Sequence, residues 1–381
     1  VLLSFRLQAG FVFVATIATA ACRQAPAPPV PSATPSSTTF IWHLPPGIPV
    51  PRVPADNPMS NAKVDLGRRL FYDTRLSGNG TYSCGSCHQQ ARAFTDGRPH
   101  AMGSTGATHP RSAMSLANVA YNVTFGWADP ALRSLEAQIA VPMFNEHPIE
   151  LGLRGREAEV IRRLSEGGRD VMMFAAAFPG DAPSLTFFNV VKAIAAFERT
   201  LVSGDSPFDR YLYRDDRNAI TPAAKRGMTL FFSKALRCSE CHAGFNLSGP
   251  VLYAVSDPAE PQFHNTGLYD LDGQGAYPSW DRGLFDRTGA PADMGRFRAP
   301  TLRNIAVTAP YMHDGSIATL EAVVSHYARG GVRSAMQSDR IKGFRISPSE
   351  TADLVEFLKS LTDESFLTSP AFAKPRTGAI Q

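Results

Sequence analysis

From Leu185 to Leu201 the apolar residues Phe187, Val190, Val191, Ile194, Phe197 and Leu201 recur every three or four positions. That spacing places them on one face of an α-helix. Farther on, Ser347-Pro348-Ser349-Glu350 forms a capping box with proline at the first helical position. It opens a helix expected to run to about Leu361, with Leu354, Phe357, Leu358 and Leu361 on one face. Strand-like alternation is scarce. The expected class is therefore mainly α, with long loops joining short helices. The 30 glycines and 30 prolines fit that picture.

The N-terminal pattern differs. Arg6 precedes an apolar stretch, Ala9 to Ala21, whose small residues Thr19, Ala20 and Ala21 lead into Cys22. This pattern is a secretion signal over 1–21, and a cysteine directly after small residues resembles a bacterial lipobox. Lipidation of Cys22 is expected, with the stretch too short for a comfortable membrane span. The Pro/Ser/Thr-rich segment 22–39 reads as an extended linker that tethers the protein to a membrane surface. A chain of 381 residues leaves room for two domains beyond it. Hydrophobic residues at 44% and charged residues at 19% suit a folded soluble protein, and the net charge of +4 comes without a basic stripe, which argues against nucleic acid as a partner.

Cysteine usage changes the picture most. Cys22 belongs to export. The other four form Cys84-x-x-Cys87-His88 and Cys238-x-x-Cys241-His242. Disulfides form in exported proteins, but disulfide pairing does not call for a histidine immediately after the second cysteine. Covalent haem attachment does: two thiols add to the vinyl groups and the adjacent imidazole reaches the iron. A shared zinc site needs its cysteine pairs close together, whereas here the two histidines stand 154 positions apart. Two covalently bound haem c groups are expected.

Each motif is preceded by the same signal, Gly67-x-x-Leu70-Phe71 before the first and Gly227-x-x-Leu230-Phe231 before the second. A small residue lets two helices approach closely, with the aromatic packing beside the haem. The repeat predicts two tandem cytochrome c-like domains, 40–165 around haem 1 and 166–381 around haem 2.

The stretches PMSNAKVDLGRRLFYDTRLSGNGTYSCGSCH, SLANVAYNVTFGW, SLEAQIAVPMFNEHPIELG, AIAAFERTLVSGDSPFDRYL and MGRFRAPTLRNIAVTAPYMHDGSIATLEAVVSHYARGG, in that order, make the chain resemble the bacterial di-haem cytochrome c peroxidases, including their MauG and MbnH branches. The resemblance covers nearly all of the chain beyond the leader, and EHPIELGLRGREAEV is most similar to the MbnH-like branch.

The resemblance implies roles for individual residues. His88 and His242 would be the proximal haem ligands. Glu150 would be the distal acid over haem 1, with Gln138 and Pro142 in the same pocket; Glu146 and His147 stand nearby as competitors. Trp127 would lie between the haems and relay electrons. Tyr327 stands where plain peroxidases carry a methionine, which would make it the sixth ligand of haem 2; Met312, His313 and His326 are the alternatives. Near Ser104, where plain peroxidases carry a distal histidine, this chain has none, although His100 and His109 are close in sequence. A calcium ion would be held by Ser112, standing where asparagine is usual, and by the carbonyls of Thr308 and Pro310.

The implied activity is reduction of hydrogen peroxide in the periplasm with electrons from a protein. In the MauG and MbnH manner these come from a Trp or Tyr side chain of a substrate protein, through a bis-ferryl state. In the plain peroxidase manner they come from a small cytochrome or cupredoxin. A non-enzymatic electron-transfer cytochrome is the third reading; Glu150 and the missing distal histidine argue against it.

Overall fold

The structure, a computed structural model, describes residues 40–376. The expected leader, Cys22 and the linker 22–39 lie outside the described residues.

Helices account for nearly all of the regular structure. They are α1 (Asn61–Phe71), α2 (Cys84–Cys87), α3 (Leu135–Phe144), α4 (Glu157–Ser165), α5 (Arg169–Ala177), α6 (Phe187–Arg199), α7 (Pro207–Tyr213), α8 (Pro222–Phe231), α9 (Phe285–Thr288), α10 (Leu320–Ala328), α11 (Pro348–Lys359) and α12 (Glu364–Thr368). A single ribbon pairs β1 (Phe263–His264) antiparallel to β2 (Phe297–Arg298) among the described residues. Local chemistry sets the helix starts. Ser60, Thr186 and Thr221 each accept a hydrogen bond from a backbone N–H three residues on, which satisfies a donor that the helix itself leaves unpaired. The predicted capping box at Ser347 and Glu350 opens α11.

Two hydrophobic cores share one construction. In the first, α1 crosses α6; in the second, α8 crosses α11. A Cβ on Gly67 would lie 1.9 Å from the Ala193 carbonyl oxygen, and a Cβ on Gly227 would lie 1.9 Å from that of Asp353. Only glycine permits either crossing. One turn beyond each contact an aromatic pair closes the crossing, Phe71 on Phe197 at 5.3 Å and Phe231 on Phe357 at 5.2 Å. The repeated sequence signal is thus a repeated helix crossing.

The cores do not divide at residue 165. Val190, Ile194, Phe197 and Leu201 belong to the first core, because α6 supplies the surface into which Gly67 fits. The chain also returns to that core after α11: Phe366 packs on Phe94 at 5.6 Å, and Gln90 donates to the carbonyls of Phe366 and Ser369. Buried Asp363 anchors the return, accepting hydrogen bonds from Gly204 and Asp205 main-chain N–H groups and from the Ser203 hydroxyl.

Candidate active site

Both Cys-x-x-Cys-His segments are held in the same way. Ser83 and Ser86 form a capping box around the turn that carries Cys84 and Cys87. The chain then passes through left-handed conformations at Ala93 and Phe94, which turns the Phe94 carbonyl back to accept the Nδ1–H of His88 at 2.7 Å. At the second motif the Nδ1–H of His242 is shared between the carbonyls of Leu247 and Pro300, at 3.2 and 3.1 Å. In each case the bond fixes the tautomer and leaves Nε2 as the electron-pair donor. Burial pushes both imidazoles below their ordinary pKa, His242 to about 4, so both rings are neutral. The four thiols are not paired with one another. Burial pushes them all up, Cys87 and Cys238 to about 11. Such a setting suits an uncharged thioether better than a thiolate.

A cavity beside the second motif is lined by Cys238, Cys241, His242, Tyr327, His264, Arg298 and Arg340. Arg298 carries a half-buried guanidinium on the cavity wall: it donates to the Gly126 carbonyl and the Asn122 side-chain oxygen, both at 3.1 Å. Burial lowers its pKa to about 10, and no carboxylate pairs with it among the described residues. The Nε2 of His264 is likewise buried without a partner. A half-buried cation without a carboxylate and a buried imidazole nitrogen without a partner, facing one cavity, are costly unless an anionic group fills it. Haem c fits this donor set: Cys238 and Cys241 would bind it covalently, His242 would offer a nitrogen to its iron, and Arg298 and Arg340 would offset its negative charge. Sequence reading missed Arg298 and His264; nothing in the residues around either signals that it faces this cavity.

Tyr327, on α10, lines the same cavity as His242, and burial pushes its phenol up. A nearby iron cation would oppose that shift. The alternatives are placed differently. The Nε2 of His326 is bonded to the Thr266 carbonyl at 3.0 Å. His313 lines the cavity but stacks on Phe297 at 3.7 Å and lies 3.6 Å from Asp281. Met312 also lines the cavity.

Trp127, Ser112, Thr308 and Pro310 line this cavity too. Trp127 donates its indole N–H to the Ser112 carbonyl at 3.0 Å. Ser112 in turn donates through its main-chain N–H to His313 O at 2.8 Å. The Ser112 hydroxyl donates to the Met312 and His313 carbonyls. A cation held here would rely on neutral oxygens, because no group of three or more His, Cys, Asp or Glu is clustered among the described residues.

Over the first motif the loop after α3 folds back on its helix. Leu151 N–H bonds to Pro142 O and Leu153 N–H to Met143 O, both at 2.9 Å. Gly103 packs against the Ile149 carbonyl with no room for a Cβ, and Ser104 N–H bonds to Glu150 O at 2.7 Å. These contacts turn Glu150 inward, where burial pushes its carboxyl up to about 7. Glu150 is close enough to disfavour ionisation of both Cys84 and Cys87. The side-chain oxygen of Gln138 is buried without a partner. Glu146 and His147 are exposed, and Glu146 pairs with Arg154 at 3.1 Å. His109 is half-buried, with Nδ1 accepting from Arg111 N–H at 3.1 Å. His100 faces a separate surface cavity with His313 and Asp314. Glu198 was not singled out in the sequence, yet it is buried beside Cys84 with its carboxyl pushed up to about 8 by burial.

A di-haem cytochrome c peroxidase family model matches residues 61–217. The chain is similar to the cytochrome-c peroxidase IdrP1 of Denitromonas iodatirespirans, 35% identical over 374 residues, covering 94% of this chain and 93% of that protein. It is similar to the methylamine utilization protein MauG of Methylorubrum extorquens, 35% identical over 311 residues, covering 82% and 81%. Among solved structures it is similar to a MauG-like protein associated with microbial copper homeostasis. There the identity is 49% and the TM-score 0.86, over 88% of this chain and 99% of that one.

Proposed function

Because the chain belongs to the di-haem cytochrome c peroxidase family, we propose that this peroxidase works in the MauG manner, reducing hydrogen peroxide and taking the electrons from a Trp or Tyr side chain of a periplasmic protein. Bound haem c supplies the peroxide-cleaving redox chemistry. Glu150, poised near neutrality by burial, moves a proton between the two oxygens of hydrogen peroxide. Gln138, whose side-chain oxygen is buried without a partner, orients the substrate or a water. Trp127 relays electrons between the haem sites, and Tyr327 and His242, which line one cavity, would together hold the second haem. Calcium binds at Ser112, Thr308 and Pro310 through neutral oxygens. Cys22 carries a lipid that anchors the exported protein.

The observation that carries this reading is the shared cavity of Tyr327 and His242, with His326 committed to a main-chain carbonyl. An anionic tyrosine oxygen stabilises a higher iron oxidation state better than a thioether does. The likeness to MauG and to the MauG-like protein supports a protein substrate. The likeness to IdrP1 favours a second reading, a small cytochrome or cupredoxin as donor. Incubation of the holoprotein and peroxide with proteins encoded beside it, followed by peptide mapping, separates the two. Oxidised Trp or Tyr in one neighbour supports the first. Fast turnover with reduced cytochrome c and no modified neighbour overturns it.

A further inference from the structure

Away from the haem motifs, one hydrogen bond joins an aromatic cluster to the surface. Tyr269 donates its phenol O–H to Asp314 Oδ2 at 2.5 Å. The other carboxylate oxygen, Oδ1, accepts from Ser316 N–H at 3.0 Å. Tyr269 meets Tyr277 edge to face at 5.5 Å. Tyr277 and Phe297 form the buried heart of a small third cluster, against which both Trp127 and Tyr269 pack. One continuous run of rings therefore leads from Phe297, on the wall of the haem cavity, through Tyr277 at 6.3 Å to Tyr269. On its outer side Tyr269 lines a second cavity of about 320 Å³ together with Asp314 and Trp280; Trp280 is 71% exposed.

We propose that Tyr269 and Asp314 form a proton-coupled redox station, the outer end of an electron route that runs inward through Tyr277 and past Phe297 to the wall of the haem cavity. The inference rests on the peroxide-driven reading above. In the step, the phenol O–H bond of Tyr269 breaks. The electron moves inward to the centre that peroxide has oxidised, and the proton moves along the hydrogen bond to Asp314. A neutral phenoxyl and a neutral carboxylic acid remain. An electron from an outside donor, a partner's Trp or Tyr side chain or a reduced donor protein, then restores the phenolate, and the proton returns from Asp314.

The local chemistry suits both halves of the step. Burial, then the bond to Asp314, pushes the Tyr269 phenol up to about 12. It is protonated at neutral pH, so its oxidation needs somewhere for the proton to go. Burial alone would raise the Asp314 carboxyl, but the Tyr269 hydroxyl, His313 and Ser316 hold it below the usual carboxylate range. It is thus ionised and ready to accept. Tyr277 differs, donating its O–H to the amide oxygen of Asn265 at 2.9 Å. A neutral amide is a poor proton acceptor, which makes Tyr277 a conduit and Tyr269 the place where charge rests.

The test uses the holoprotein with a few equivalents of peroxide, no partner and a nitroso spin trap. Freeze-quench electron paramagnetic resonance with ring-deuterated tyrosine and peptide mapping of the trap adduct are the readouts. The expected result is a tyrosine signal with the adduct on Tyr269, lost in Tyr269→Phe and at least tenfold weaker in Asp314→Asn. If haem absorption responds to peroxide but the adduct is not on Tyr269, or survives unchanged in Asp314→Asn, the route is overturned alone. If haem absorption does not respond to peroxide at all, both the route and the reading beneath it are overturned.

Discussion

The indole N–H of Trp127 is bonded to the main-chain carbonyl of Ser112 at 3.0 Å. Ser112 is bonded in turn to the carbonyl of His313. The Trp127 ring is thereby fixed to two chain segments that both line the cavity holding His242 and Tyr327. Replacing Trp127 with Phe keeps a ring but removes the donor, at a cost of about 1 kcal/mol in stability. With the relay interrupted, oxidation of the protein partner is expected to slow by at least about tenfold, a barrier increase of about 1.4 kcal/mol. Haem content, read from the reduced absorption spectrum, should stay unchanged. Stopped-flow measurement of partner oxidation checks it.

Glu150 gives the reaction a pH dependence of definite sign. A proton acceptor works in its ionised form, so the rate with peroxide should rise with pH and reach half its limit near the carboxyl's pKa of about 7. Glu150→Gln should lower the rate about 10²- to 10⁴-fold and flatten the profile. Stability runs the opposite way. The folded protein holds this proton more tightly than the unfolded chain, so the group's contribution to stability falls as pH rises from 4.5 to about 7. Denaturant midpoints of wild type and Glu150→Gln across that range should converge at low pH and separate in favour of the variant at high pH.

The two glycine crossings predict matched defects. Gly67→Ala and Gly227→Ala each press a methyl group onto a main-chain carbonyl that cannot swing aside. Each should cost about 1–3 kcal/mol, the usual range for overpacking, seen as a lower thermal midpoint. Ala at Gly80, whose added Cβ meets nothing within 4 Å but whose φ is +75°, separates backbone strain from steric crowding.

Much of this was legible in the sequence because the chemistry is local. Haem attachment needs two cysteines and a histidine within five positions, and the Gly-x-x-Leu-Phe signal marks a crossing that one helix face records by itself. Helix α6 was legible from its apolar spacing, but its partner was not. It closes the first core with α1, more than a hundred positions earlier, so a division after residue 165 misses it. The pairs Tyr269–Asp314 and Trp127–Ser112, and the half-buried charge of Arg298, arise where loops from distant parts of the chain meet. Neither periodicity nor motif spacing encodes such meetings.

Tyr327 offers a direct spectroscopic handle. In Tyr327→Met a thioether would take the place of the phenol oxygen. The variant is expected to gain the weak far-red absorption that marks methionine bonded to ferric haem, and its second haem should become easier to reduce. The wild-type protein should lack that band. Its presence in wild type would assign the ligand to Met312 instead.

On the proposed reading the two haem sites are unequal, the first served by Glu150 and the second by Tyr327. Mixing the fully ferric holoprotein with one equivalent of hydrogen peroxide, followed by rapid-scan absorption, tests it most directly. An immediate change in the haem bands without prior reduction is the predicted result. A protein that responds only after one-electron reduction, or in neither state, would contradict it.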